Sequence, residues 1–215
     1  MTFMASETLR RSVLLGVELI DPITLQAVSR GIGIKAVGLD GAPVTSWSGR
    51  FAWLAEDTRW PSRLEFIPGA LPYEAMSFPV TAQPAGGAPL FRFMLRPTVA
   101  YPFGDGMTAA RGRLREHAGG DAAPVAGALI WLAWTDQNGV TRPEQADRLL
   151  TQTDAGGAFA ACLRLPAGSK PVSNGTLLAV TIMVQRGETI RQLPQDLPDG
   201  QLRDLPNALA WSELT

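Results

Sequence analysis

Pro124-Val125-Ala126-Gly127-Ala128-Leu129-Ile130-Trp131-Leu132-Ala133-Trp134, followed downstream by Thr153-Asp154-Ala155-Gly156-Gly157-Ala158-Phe159, is the stretch from which the fold is read. The uncharged run from Val125 to Trp134 reads as a long apolar strand. Gly127 and Ala128 leave room there for a neighbouring strand or a bulge. Asp154 can accept its own backbone N–H groups and set a turn, and Gly156 or Gly157 supplies a positive φ. Phe159 then enters the core directly after the turn.

Working outward, Ala110 to Glu116 predicts a strand with Arg111, Arg113 and Arg115 on one face. Gly119-Gly120-Asp121 and Asp136-Gln137-Asn138-Gly139 are turns. Ala158 to Leu165 and Leu177 to Gln185 supply further strands. Beyond them, residues 187–215 have no clean period, and Pro194, Pro198 and Pro206 forbid one long helix. An extended tail is expected, with one short helical turn near Asn207 to Trp211. Its Leu205, Leu209 and Trp211 dock either on a neighbouring protein or on the chain's own sandwich.

Four pieces of this region occur in a familiar order: Arg111-Gly112-Arg113-Leu114, Pro124 to Leu132, Thr153 to Phe159, and Leu165-Pro166-Ala167-Gly168. Together they resemble the carboxypeptidase regulatory-like domain, which is related to transthyretin-like and Cna-B-type β-sandwiches. The resemblance covers roughly a third of the chain, and implies a β-sandwich over residues 108–186. Some Cna-B-type domains carry an isopeptide cross-link from a buried Lys, for which Lys35 and Lys170 are the only donors here. Hydrolases of the transthyretin fold use several His and Arg positions, and with one histidine that activity is not carried over.

The first half also reads as strands: Val13 to Ile20, closed by Asp21-Pro22, then Gly31 to Leu39, Gly49 to Leu54, Leu64 to Ile67, Ser77 to Val80 and Leu90 to Leu95. Asp40-Gly41 is its strongest hairpin signal. Thr81 to Pro89 reads as a long surface loop, and residues 97–107 as a proline-bearing linker with Tyr101 and Phe103 packed on the domains. Gly41-Ala42-Pro43-Val44 resembles Ala123-Pro124-Val125, and Ser46 to Phe51 resembles Thr153 to Phe159 shortened by one. Either the chain is an internal duplication or it holds two unrelated sandwiches. The fold class is therefore all-β: two tandem Ig-like or transthyretin-like β-sandwiches, residues 1–96 and 108–186, with an extended C-terminal tail at 187–215.

The 215 residues are 46% hydrophobic and only 18% charged, with 22 Gly and 17 Pro, which suits short strands joined by turns and excludes a disordered chain. A net charge of −1 gives no field to hold a polyanion, so no nucleic-acid partner is expected. No run approaches the length of a membrane-spanning helix, and the apolar run at Ser12 to Val17 is too short for a signal core. A cytoplasmic protein, or one released without signal processing, is expected.

Catalytic residues are hard to find. His117 is the sole histidine and lies in a turn; Cys162 is the sole cysteine and reads as a half-buried strand residue. Zinc has too few ligands. Calcium would need Asp136, Asn138 and Asp154 to meet at one end of the sandwich. No cofactor is expected. Trp53 and Trp131 read as core, whereas Trp47 and Trp60 lie in loops and are candidates for an interface. With Arg111, Arg113, Arg115, Leu205, Leu209 and Trp211 they form the predicted interaction set. The expectation is a non-catalytic structural or adaptor subunit docking on other proteins, for instance in a phage tail or tail-like contractile injection particle. A carbohydrate-binding or adhesion module using exposed Trp is the second reading.

Overall fold

The computed structural model describes residues 12–54, 59–80, 88–142, 149–166 and 168–215. The start of the chain and most of the expected Thr81–Pro89 loop lie outside the described residues. The chain divides into two compact units, Met1–Leu95 and Arg96–Thr215, and both are all-β.

In the first unit, β1 (Val13–Ile20) is the central strand. It pairs antiparallel with β4 (Arg50–Leu54) and parallel with β7 (Leu90–Met94). β3 (Val44–Thr45) adds to the outer side of β4. The facing sheet is β2 (Gly33–Val37), β5 (Arg63–Ile67) and β6 (Met76–Pro79), all antiparallel. Alternation places Leu15, Val17 and Leu19 of β1, Phe51 and Trp53 of β4, and Leu64 and Phe66 of β5 in the interior, all of them buried. Phe66 and Phe78 of one sheet meet Phe93 of the other at ring-centroid distances of 5.1 and 4.5 Å, which ties the sheets together. Asp40-Gly41 is not a hairpin turn. The strands on either side of it, β2 and β3, belong to different sheets, so the turn carries the chain across the sandwich.

The second unit repeats this plan. β8 (Ala109–Arg115) pairs antiparallel with β12 (Ala158–Cys162) and parallel with β16 (Leu202–Asp204) and β17 (Leu209–Ala210). The facing sheet is built on β9 (Leu129–Thr135), β14 (Leu177–Arg186) and β15 (Thr189–Pro198), all antiparallel. The short strands β10 (Thr141–Arg142), β11 (Thr151–Gln152) and β13 (Ser173–Asn174) extend it. Leu114, Ile130, Leu132, Phe159, Val180, Ile182, Val184 and Leu197 fill the space between.

The correspondence is local as well as topological. Val28 N–H donates to the Leu19 carbonyl as Val125 N–H does to Leu114. The isolated bridges Ile20–Ala27 and Arg115–Pro124 occupy the same place. The partner of Pro124-Val125 is therefore Ala27-Val28, and not Pro43-Val44 as the sequence comparison suggested.

Residues 187–210 are extended, but as strands of their own unit, and the helical turn expected near Asn207 to Trp211 falls later, as a 3-10 turn at Trp211–Glu213, because Leu209–Ala210 pair with β8. β15 runs the full length of β14. Its Gln192 exchanges backbone hydrogen bonds with Thr215 on the side away from β14. Pro194 and Pro198 share that parity, so each lacks an N–H only where none is needed for β14 pairing. The prolines thus exclude a helix and still permit an edge strand. The segment 97–107 belongs to the second unit: Arg111 donates to the Tyr101 carbonyl and lies over the Phe103 ring.

Candidate interaction surface

The tight turn Ser46-Trp47-Ser48-Gly49 joins β3 to β4. Ser46 N–H donates to the Arg50 carbonyl (2.7 Å), Gly49 N–H to the Ser46 carbonyl (3.0 Å) and Arg50 N–H to Ser46 Oγ (3.0 Å). The turn before β12 is built by the same bonds: Asp154 N–H to the Ala158 carbonyl, Gly157 N–H to the Asp154 carbonyl, and Ala158 N–H to Asp154 Oδ1. Gly49 and Gly157 hold φ of +83° and +74°. Ser46 thus matches Asp154 and Phe51 matches Phe159 with no residue lost, which corrects the shortened alignment. Both Phe side chains are buried.

The position between differs. Where the second unit has Ala155, the first has Trp47, whose indole is 102% exposed. The same turn forms with alanine, so the fold does not require this tryptophan. Leaving so large an apolar side chain in water forgoes roughly 2 kcal/mol or more of burial.

At the far end of β4, Leu14, Leu39, Asp40, Gly41, Ala42, Val44, Trp53 and Leu54 surround a concavity of about 250 Å³. Val44 is 53% exposed on its wall. The Asp40 carboxylate is paired with Arg59 and largely open to solvent. Sequence reading did not find this hollow, because its wall comes from three strands and one turn that no local pattern joins.

Other predicted positions are committed within their own unit. Arg115 donates to the Gly120 and Ala122 carbonyls, and Arg111 holds Tyr101 and Phe103, so only Arg113 of the stripe projects freely exposed. Arg113 lies beside a concavity of about 350 Å³ that Asp204, Leu205 and Asn207 also line. Leu205 packs on the core, where Gly112 leaves it room: a Cβ there would stand 2.9 Å from the Phe159 ring and 3.0 Å from Leu205. Leu209 is a buried core residue. Trp211 lies under the Arg191 guanidinium at 4.7 Å, and Arg191 also donates to its carbonyl. Of the two alternatives for the C-terminal segment, docking on its own sandwich is the one observed. Trp60 is half-buried.

His117 is exposed on a turn. Cys162 is fully buried rather than half-buried, because both faces of β12 are covered. Lys35 and Lys170 are both exposed, so neither can be the buried donor of an isopeptide bond. Asp136 and Asp154 follow opposite ends of β9, since β9 runs into Asp136 whereas Thr153 bonds Gly127 and Ala128 before it. The calcium arrangement therefore does not form; each carboxylate instead accepts N–H groups of its own turn. Glu18 of β1 bonds Arg50 and Arg92 on the two neighbouring strands at 2.9 and 2.8 Å. The Arg50 hydrogen bond, opposed by partial burial and reinforced by the charges of both arginines, holds its carboxyl below the usual glutamate range. Among the described residues no helix is long and apolar enough to cross a membrane.

No known family matches the sequence, and no curated protein does. Among solved structures the chain is similar to the shaft pilin SpaA from Lactobacillus rhamnosus GG (D295N mutant), with 11% identity over 94% of this chain and 99% of that one, at a TM-score of 0.28. It is also similar to a DUF3823 family protein from Bacteroides ovatus ATCC 8483, with 11% identity over 87% of this chain and 98% of that one, at a TM-score of 0.23. At such scores the likeness is loose, and the all-β sandwich architecture stands on the strand pairing itself.

Proposed function

We propose that this chain is a non-catalytic structural module, a docking or spacer subunit that works through its surface in a larger protein assembly. Trp47 carries the reading. It is a large apolar group held out into solvent on a stiff turn that its counterpart builds with alanine. A residue that folding does not need and solvent disfavours is accounted for by a partner. The rest of the molecule fits the reading. Both interiors are filled mainly by apolar side chains, the buried Asp21 carboxylate is taken up by the Tyr73 hydroxyl and the N–H groups of Ile23 and Thr24, and the sole imidazole is on an exposed turn.

In this reading the second unit is of the carboxypeptidase regulatory-like kind. The home is a particle assembled in the cytoplasm, of which a phage tail or contractile injection particle is one form. Gradient sedimentation of lysate from cells that make the protein tests it. The chain should migrate in fractions far heavier than its own 23.0 kDa. Recovery only at monomer mass, together with substrate turnover lost in His117→Ala, would overturn it.

The exposed indole also favours a second reading, adhesion through sugar stacking. A glycan array showing binding that Trp47→Ala removes would support that reading instead.

A further inference from the structure

We propose that the outer edge of β15 is closed against strand addition, and that Pro194 and Pro198 are the residues that keep a second copy of the chain from pairing there. β15 runs ten residues, Thr189–Pro198, and β14 is the strand it pairs with. A long edge presents a row of backbone groups on which another chain can build. The inference does not rest on the assembly reading.

Strand parity decides which groups face outward. Gln192 exchanges backbone hydrogen bonds with Thr215 at 2.8 and 3.2 Å. Residues at steps of two from Gln192 therefore turn their N–H and carbonyl groups away from β14. These are Pro194, Asp196, Pro198 and, past the end of the strand, Gly200. A spacing of four puts both prolines on this edge, where each puts a ring carbon in place of a donor. The Asp196 carbonyl accepts the Arg203 guanidinium at 2.8 Å. Gly200 N–H donates to Thr108 Oγ1 at 2.8 Å, and the Gly200 carbonyl accepts Gly106 N–H at 3.1 Å. Thr215 thus covers one end of the edge, and residues 106–108 cover the other.

Between those ends, Asp196 is the position that still has an outward N–H. A strand arriving from a second copy meets that donor, and a proline ring on either side of it at about 6.8 Å. One such bond does not offset the entropy of ordering a strand. Pairing with β14 does not call for proline either. Pro194 stands opposite Thr181 and Pro198 opposite Leu177, and a β-branched residue suits both places better. Closing the edge accounts for prolines that strand formation leaves unexplained.

The test compares the full natural chain with Pro194→Thr combined with Pro198→Val, which restores both donors. Sedimentation velocity from roughly 1 μM to 1 mM spans the weak-contact range. The weight-average mass of the double variant should reach at least about twice that of the natural chain at the same concentration, as edge-to-edge pairing of two copies requires. Amide exchange at Asp196 should slow with concentration in the variant and stay unchanged in the natural chain. Circular dichroism establishes that the variant is folded. Should it not fold, Pro194→Thr alone, at an exposed place opposite Thr181, carries the same comparison with one donor restored. A folded variant whose mass follows that of the natural chain overturns the proposal. So does added association that leaves Asp196 exchange as it was, or a natural chain whose own association protects Asp196. The heavy fractions of lysate test the assembly reading separately, since the edge can be closed in a monomer and in a subunit alike.

Discussion

Gly157 has a φ of +74°, and a Cβ there would run into the Leu114 carbonyl oxygen and the Pro124 ring. Neither obstacle can swing away, as both belong to the backbone or to a fixed ring. Gly157→Ala should therefore lose about 2 kcal/mol or more in chemical denaturation, more than a strained φ alone. Gly156 has no positive φ, and its nearest obstacle is the Asp154 carboxylate oxygen at 3.3 Å. Gly156→Ala should cost about 1 kcal/mol or less. Asp154 accepts the N–H groups of Gly156 and Ala158 at 2.8 Å each. Asp154→Ala should cost about 1–2 kcal/mol, and Asp154→Asn less, because the amide oxygen still accepts. Glu18 gives a pH signature. Its folded carboxyl is held below the usual value of 4.5, so its stabilising contribution is complete above that value and is lost as pH falls through the lower folded value. Thermal unfolding of Glu18→Gln should show a shallower decline below that pH than the natural sequence, and equal slopes would contradict the pairing.

The C-terminal strands close the second unit. β16 and β17 lie parallel to β8, and Leu209 and Leu214 are buried in the core. Ending the chain after Pro206 removes both leucines and the partner of Arg191. The second unit should lose about 4 kcal/mol or more, by the usual cost of emptying buried leucine sites. Proteolysis followed by mass spectrometry should then show cleavage confined to residues after Leu95. Most strands were legible from alternation and turn chemistry, because β1, β4, β8, β12 and β14 each alternate or end at a glycine-bearing turn. β15 was not, since its prolines read as breakers. Only the sheet shows that Pro194 and Pro198 face the side of β15 away from β14. The partition of strands between sheets was equally hidden. Asp40-Gly41 has the chemistry of a hairpin but links strands whose partners lie far along the chain.

At the scale of the molecule, one plan is used twice. A central strand, β1 or β8, is flanked by an antiparallel partner and by a parallel strand from the end of its unit. The same six-residue turn delivers a buried phenylalanine in each. Sequence comparison found that turn but misaligned it by one residue. It had no way to pair Ala27-Val28 with Pro124-Val125, since only the valine is shared. Repetition also makes the departure visible: Trp47 stands out because Ala155 is its counterpart. Its position in a loop was legible from sequence; its complete exposure was not, nor was the hollow at the other end of β4.

Sedimentation of lysate from cells carrying Trp47→Ala, beside cells carrying the natural chain, puts the account to its hardest trial. The natural chain should travel with heavy fractions, and the folded variant should fall back to the mass of a single chain. A variant that stays with the heavy fractions, or a natural chain that never reaches them, would contradict it.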